Sequence, residues 1–102
     1  MPKLESLQTF VAASPDEPLP RYALAMEYRG LGRFDEAVLT FRDLVGRRPE
    51  YVPTYLMLGQ TLIGLGRADE ARPVLEQGIA AAQKAGDRHA ADELQDALDS
   101  LE

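Results

Sequence analysis

The chain has 102 residues, 45% hydrophobic and 27% charged, an ordinary globular composition that excludes a disordered polymer and suffices for one domain burying about 65% of its unfolded surface. It has no cysteine, which excludes disulfides and thiolate metal sites, and its net charge of −6 repels phosphate backbones and argues against nucleic acid as a partner. Met1-Pro2-Lys3-Leu4-Glu5 lacks the apolar stretch of a signal peptide and no run approaches the ~18 apolar residues of a membrane span, so a cytoplasmic protein with no membrane partner is expected.

The first predicted helix covers 2–13, where Leu4, Leu7, Phe10 and Val11 recur at helical spacing. A second, 19–31, carries Leu24, Ala25, Tyr28 and Leu31 along one face. Gly30 and Gly32 interrupt it where a tight turn calls for positive φ. The third, 35–47, opens on Asp35 and Glu36, whose carboxylates suit the exposed amides and positive end of a helix. Ala37, Phe41, Leu44 and Val45 form its apolar stripe, and Arg47-Arg48-Pro49 ends it. The fourth, 52–64, repeats the second through Tyr55, Leu58 and Leu62, and the fifth, 69–85, repeats the third through Ala71, Leu75 and Ile79. Pro73 lacks an N–H and predicts a kink or a late start in that fifth helix. After Gly86 a sixth helix runs over 88–101, with Asp87 as N-cap and Ala91, Leu94, Leu98 and Leu101 as its apolar stripe. A terminal helix with a polar outer face closes the exposed core of a stacked array.

The elements repeat. Gly30-Leu31-Gly32-Arg33-Phe34-Asp35-Glu36-Ala37 recurs as Gly64-Leu65-Gly66-Arg67-Ala68-Asp69-Glu70-Ala71, identical at all positions but the one where Ala68 answers Phe34. At the same fixed offset Leu24 pairs with Leu58, Ala25 with Gly59, Tyr28 with Leu62, and Phe41 with Leu75. Carried backwards, it sets Leu7 at Phe41, Phe10 at Leu44 and Pro15 at Pro49, so the chain opens with the second half of an incomplete unit.

These residues resemble the tetratricopeptide repeat family, whose helix–turn–helix unit of about 34 residues carries small residues at its eighth and twentieth positions. The matches are Leu24, Ala25, Tyr28, Gly32, Phe34, Ala37, Phe41 and Pro49 in a unit at 18–51, and Tyr55, Leu58, Gly59, Gly66 and Ala71 in a unit at 52–85. Arg21, where the family prefers a bulky residue, and Gly78, where it prefers alanine, depart from the pattern. The resemblance implies an all-α fold of stacked antiparallel helical hairpins over 1–102, right-handed in its stacking. It comprises two full repeats, an N-terminal half repeat and a capping helix at 88–101. It further implies a binding module for a protein or peptide, with no cofactor and no enzymatic activity.

In this family the first helix of each unit lines a concave groove. Those positions here are Leu19, Tyr22, Met26 and Arg29, then Leu56, Gln60 and Ile63, a set suited to an amphipathic peptide. The competing reading has the first helix or the chain's own tail packed over them. Members that grip acidic C-termini use lysine and asparagine on the inner helices. Tyr22, Met26, Leu56 and Gln60 at those positions do not supply that set.

Residues 86–102 hold six acids and one arginine, net −5, against −1 for the first 85 (eleven acids, ten bases). His89, Asp92, Asp96 and Asp99 share one face of the last helix, as an acidic patch, a weak divalent-cation site, or simply its solvated side. No nucleophile stands beside a base, and Gly30-Leu31-Gly32 lacks the lysine-serine pair of a phosphate loop. The amphipathic first helix, with no helix before it, offers Leu4 and Phe10 for pairing with a second copy as a homodimer, or serves as a plain cap.

Overall fold

The computed structural model describes residues 3–101. Six α-helices follow one another: α1 (Lys3–Ala13), α2 (Pro18–Gly30), α3 (Phe34–Arg47), α4 (Pro53–Gly64), α5 (Ala68–Ala85) and α6 (Arg88–Asp99). There is no strand among the described residues. The helices begin and end at or close to their expected bounds. The expected start of the first at residue 2, and Glu102 of the acidic end, fall outside the described residues.

Each helix packs on its chain neighbours, and α4 also meets α6, so the molecule is an elongated stack of 42 × 29 × 19 Å. The shared core contains Leu24, Tyr28, Phe41, Tyr55, Leu58, Leu62, Leu75 and Leu94. Ala25, Ala37 and Ala71 are fully buried, and Gly59 is buried with them, so paired helices approach closely. A β-carbon on Gly59 would stand 2.5 Å from Leu75 Cδ2, well inside van der Waals contact.

The turns repeat as closely as the sequence does. Gly32 and Gly66 take φ of 76° and 74°, the left-handed region that glycine enters without a Cβ penalty. Around them Arg33 N–H reaches Tyr28 O and Arg67 N–H reaches Leu62 O, both at 2.8 Å. Gly32 N–H bonds Arg29 O and Gly66 N–H bonds Ile63 O. These paired bonds satisfy the last carbonyls of α2 and α4. Gly86, with φ 72°, closes α5 in the same way through Asp87 N–H to Ala82 O.

Two local expectations change. Gly30 is the last helical residue of α2 and does not have positive φ; only the second glycine of each pair carries the turn. The α5 helix starts at Ala68 with Pro73 inside it, so the late start expected from Pro73 is absent. The acids Asp35 and Glu36 stand in the first turn of α3, and Asp69 and Glu70 in that of α5, as expected. There Glu36 receives two bonds of 2.7 Å from Arg33, and Glu70 receives two, of 2.6 and 2.8 Å, from Arg67. At α6 the expected cap is present: Asp87 Oδ1 accepts from Ala90 N–H at 3.0 Å.

Gly78 explains its own departure from the repeat pattern. Its added β-carbon would lie 2.5 Å from Tyr55 Cβ and 3.0 Å from Leu94 Cδ2, so this glycine lets α4 and α6 close on α5.

Candidate functional site

The first helices of the two hairpins, α2 and α4, share one side of the stack with α6. Between them lies a cavity of about 250 Å³ lined by Tyr22 of α2, Val52, Pro53, Leu56 and Met57 of the α4 end, and Asp87, His89, Ala90, Glu93 and Leu94 of the α6 end. The floor is apolar because α4 turns Leu56 and Met57 away from Leu58 and Leu62, which go into the core. Tyr22 is half-buried and stands edge-on to Phe41 and Tyr51, with ring centroids 6.0 and 5.8 Å away. That packing holds its ring in one orientation. Burial first, and then the neighbouring Tyr51, push the Tyr22 phenol above its ordinary range, with Arg29 pulling the other way. The hydroxyl is therefore neutral at physiological pH.

The seven groove positions drawn from the sequence separate into groups. Tyr22 and Leu56 face the cavity together. Arg29 and Gln60 line a second, smaller hollow of about 110 Å³ with Phe34, Thr61, Gly64 and Leu65. Arg29 Nη1 lies 3.6 Å from Met57 Sδ, so Met57 stands between the two hollows. Met26 and Ile63 are half-buried against the core, and Leu19 is 64% exposed at the start of α2. Pro53 was readable in principle, because it holds in the second unit the position that Leu19 holds in the first. The α6 contribution was not, since it depends on how the last helix docks.

At the rim, His89 Nε2 lies 3.2 Å from Glu93 Oε1. His89, Asp92, Asp96 and Asp99 are exposed. No group of three or more histidine or acidic side chains is arranged to hold a metal ion among the described residues. No described helix is long and apolar enough to cross a membrane.

Helical hairpins stacked in this way, with their first helices along one apolar hollow, define the class of repeat scaffolds whose general work is protein–protein interaction, generally without catalysis. The chain belongs to the tetratricopeptide repeat family, whose model matches residues 28–98. It is 30% identical over 91 residues to a TPR repeat-containing protein of Pseudomonas aeruginosa, covering 89% of this chain and 87% of that one. Among solved structures it is similar to a tetratricopeptide repeat domain protein of Salinibacter ruber, at 38% identity and a TM-score of 0.81, covering 86% of this chain and 89% of that one. A protein of Bordetella parapertussis matches at 35% identity and a TM-score of 0.81, covering 99% and 88%.

Proposed function

We propose that this chain is an adaptor that takes a peptide or helix of a partner protein into the groove between α2, α4 and α6. In this reading 18–51 and 52–85 act as its two units and 88–101 as its cap. The observation that carries the proposal is the cavity itself. Tyr22, Leu56 and Met57 leave apolar surface facing an open hollow beside a packed core, and such surface on a folded chain marks a place of contact. Met26, Arg29, Gln60 and Ile63 extend the groove toward the α2–α3 turn, and Leu19 extends it at the opposite end.

The test is an affinity capture of partners by the wild type, by Leu56→Arg, and by Lys84→Glu, an exposed α5 residue outside the groove lining, each checked for helical content. A partner held by the wild type and Lys84→Glu but lost by Leu56→Arg supports the groove. Equal capture by all three sinks it.

A second reading, self-assembly through the N-terminal end, has one observation of its own. Phe10 is 61% exposed, whereas Leu44, its counterpart in the next unit, is fully buried. Sedimentation equilibrium over a range of concentrations checks it. A wild-type mass that rises toward or holds at the dimer value, with Phe10→Ser staying monomeric, supports a homodimer, and a monomeric wild-type mass throughout refutes it.

A further inference from the structure

The groove's charge selects its ligand. Its lining holds two carboxylates, Asp87 and Glu93, and no lysine or arginine. Asp87 spends one bond of its Oδ1 on the Ala90 N–H, and a carboxylate accepts several more. Glu93 Oε1 lies 3.2 Å from His89 Nε2, and the Glu93 side chain is 48% exposed, so the carboxylate is open to a further cation. Both acids sit on the end of the chain where residues 86–102 carry net −5 (six acids, one arginine), a field that draws cationic segments and repels anionic ones. Arg29, the cation among the groove positions, is turned toward Met57 Sδ and lines the other hollow.

The floor sets the second half of the specificity. A hollow of about 250 Å³ is smaller than the ~300–1,000 Å³ typical of small-molecule sites. With Val52, Pro53, Leu56, Met57, Ala90 and Leu94 around it, it suits an apolar side chain, and Met57 supplies a wall that adapts its shape.

We infer that the groove's ligand is a segment of a partner protein carrying one bulky apolar residue, seated on Leu56 and Met57, with a lysine or arginine beside it pairing with Asp87 and Glu93. This rests on the groove reading above and narrows it to a basic, apolar peptide.

A random-peptide phage library selected on the immobilised full chain tests the inference, followed by fluorescence anisotropy of the enriched peptides. The proteins compared are the wild type, Leu56→Gln and the double variant Asp87→Asn/Glu93→Gln. Asparagine keeps the cap of α6 and the Glu93 change is on the surface, so the double variant removes charge without removing structure; circular dichroism verifies all three. The expected consensus is a Phe, Leu, Met or Trp adjacent to Lys or Arg. The double variant should weaken binding about three- to tenfold, the scale of two solvent-exposed ion pairs, and added salt should weaken wild-type binding likewise. Leu56→Gln should weaken it further. Enriched peptides without basic residues, or bound equally by the double variant yet lost by Leu56→Gln, overturn this inference and leave the groove standing. Peptides bound equally by Leu56→Gln, or no enrichment at all, overturn both.

Discussion

Arg21 and Tyr55 occupy the same place in consecutive units and hold the same atom. Arg21 Nη1 donates to the carbonyl of Pro15, and the Tyr55 hydroxyl donates to the carbonyl of Pro49. Each therefore ties the turn before its helix to the body of that helix. The arginine also reaches Asp43 of α3 at 3.0 Å, with its own side chain only 8% exposed. A residue that departs from the repeat pattern by type thus keeps its task by reach.

Removing these ties should cost unequal amounts. Tyr55→Phe loses one neutral donor and is expected to destabilise by about 0.5–1.5 kcal/mol. Arg21→Ala loses a charge-assisted bond, an ion pair and a buried stem, and is expected to cost about 1.5–3 kcal/mol. Urea unfolding with an unchanged slope measures both. Equal losses would show that the Asp43 contact contributes nothing.

The glycines of the repeated turn should respond in opposite directions. At Gly30 a β-carbon meets nothing within 4 Å and the backbone is helical, so Gly30→Ala should stabilise by about 0.4–1 kcal/mol. Gly32 also has open space but a φ of 76°, so Gly32→Ala should destabilise by about 1–2 kcal/mol. Thermal midpoints of the two variants in one buffer decide the matter.

Gly78 and Gly59 separate close approach to a side-chain tip from close approach to a β-carbon. An alanine at 78 runs into Tyr55 Cβ, whereas at 59 it meets the branched end of Leu75. Gly78→Ala is expected to cost more than Gly59→Ala, within the ~1–3 kcal/mol of overpacked sites, because Tyr55 Cβ moves only with the α4 backbone. Denaturant midpoints for the two variants provide the comparison.

Thr54 is fully buried and its hydroxyl finds no partner among the described residues. Thr54→Val keeps the shape and removes the unpaired group, so stability should rise by about 1 kcal/mol. A fall in the urea midpoint would mean that the hydroxyl is satisfied in solution.

Acid should loosen the second helices of both units. The bond from Arg33 lowers the Glu36 carboxyl, and the bond from Arg67 lowers that of Glu70. A lowered carboxylate stabilises the fold above its unfolded value, near pH ~4.3 for glutamate. That contribution is lost as pH falls through the lowered folded value. The melting temperature of wild type should therefore exceed that of Arg33→Gln/Arg67→Gln at neutral pH, with the gap closing below about pH 4. A gap that is constant with pH would assign the effect to packing.

The sequence alone determined the six helices, the two Gly-Leu-Gly turns, the Asp87 cap and the repeat register, because each depends on local chemistry: apolar spacing, glycine at a turn or a short carboxylate. It also brought Tyr22 and Leu56 to one face, since both hold the same position in units of equal length. It did not separate Gly30 from Gly32, because composition alone does not reveal which of two neighbouring glycines takes positive φ. Only the tertiary structure decided that Met57, Asp87, His89 and Glu93 join Tyr22 and Leu56 around one cavity. That outcome depends on the angle at which α6 closes on α4 and α5 across Gly78, a contact between residues distant in the chain that no local spacing encodes.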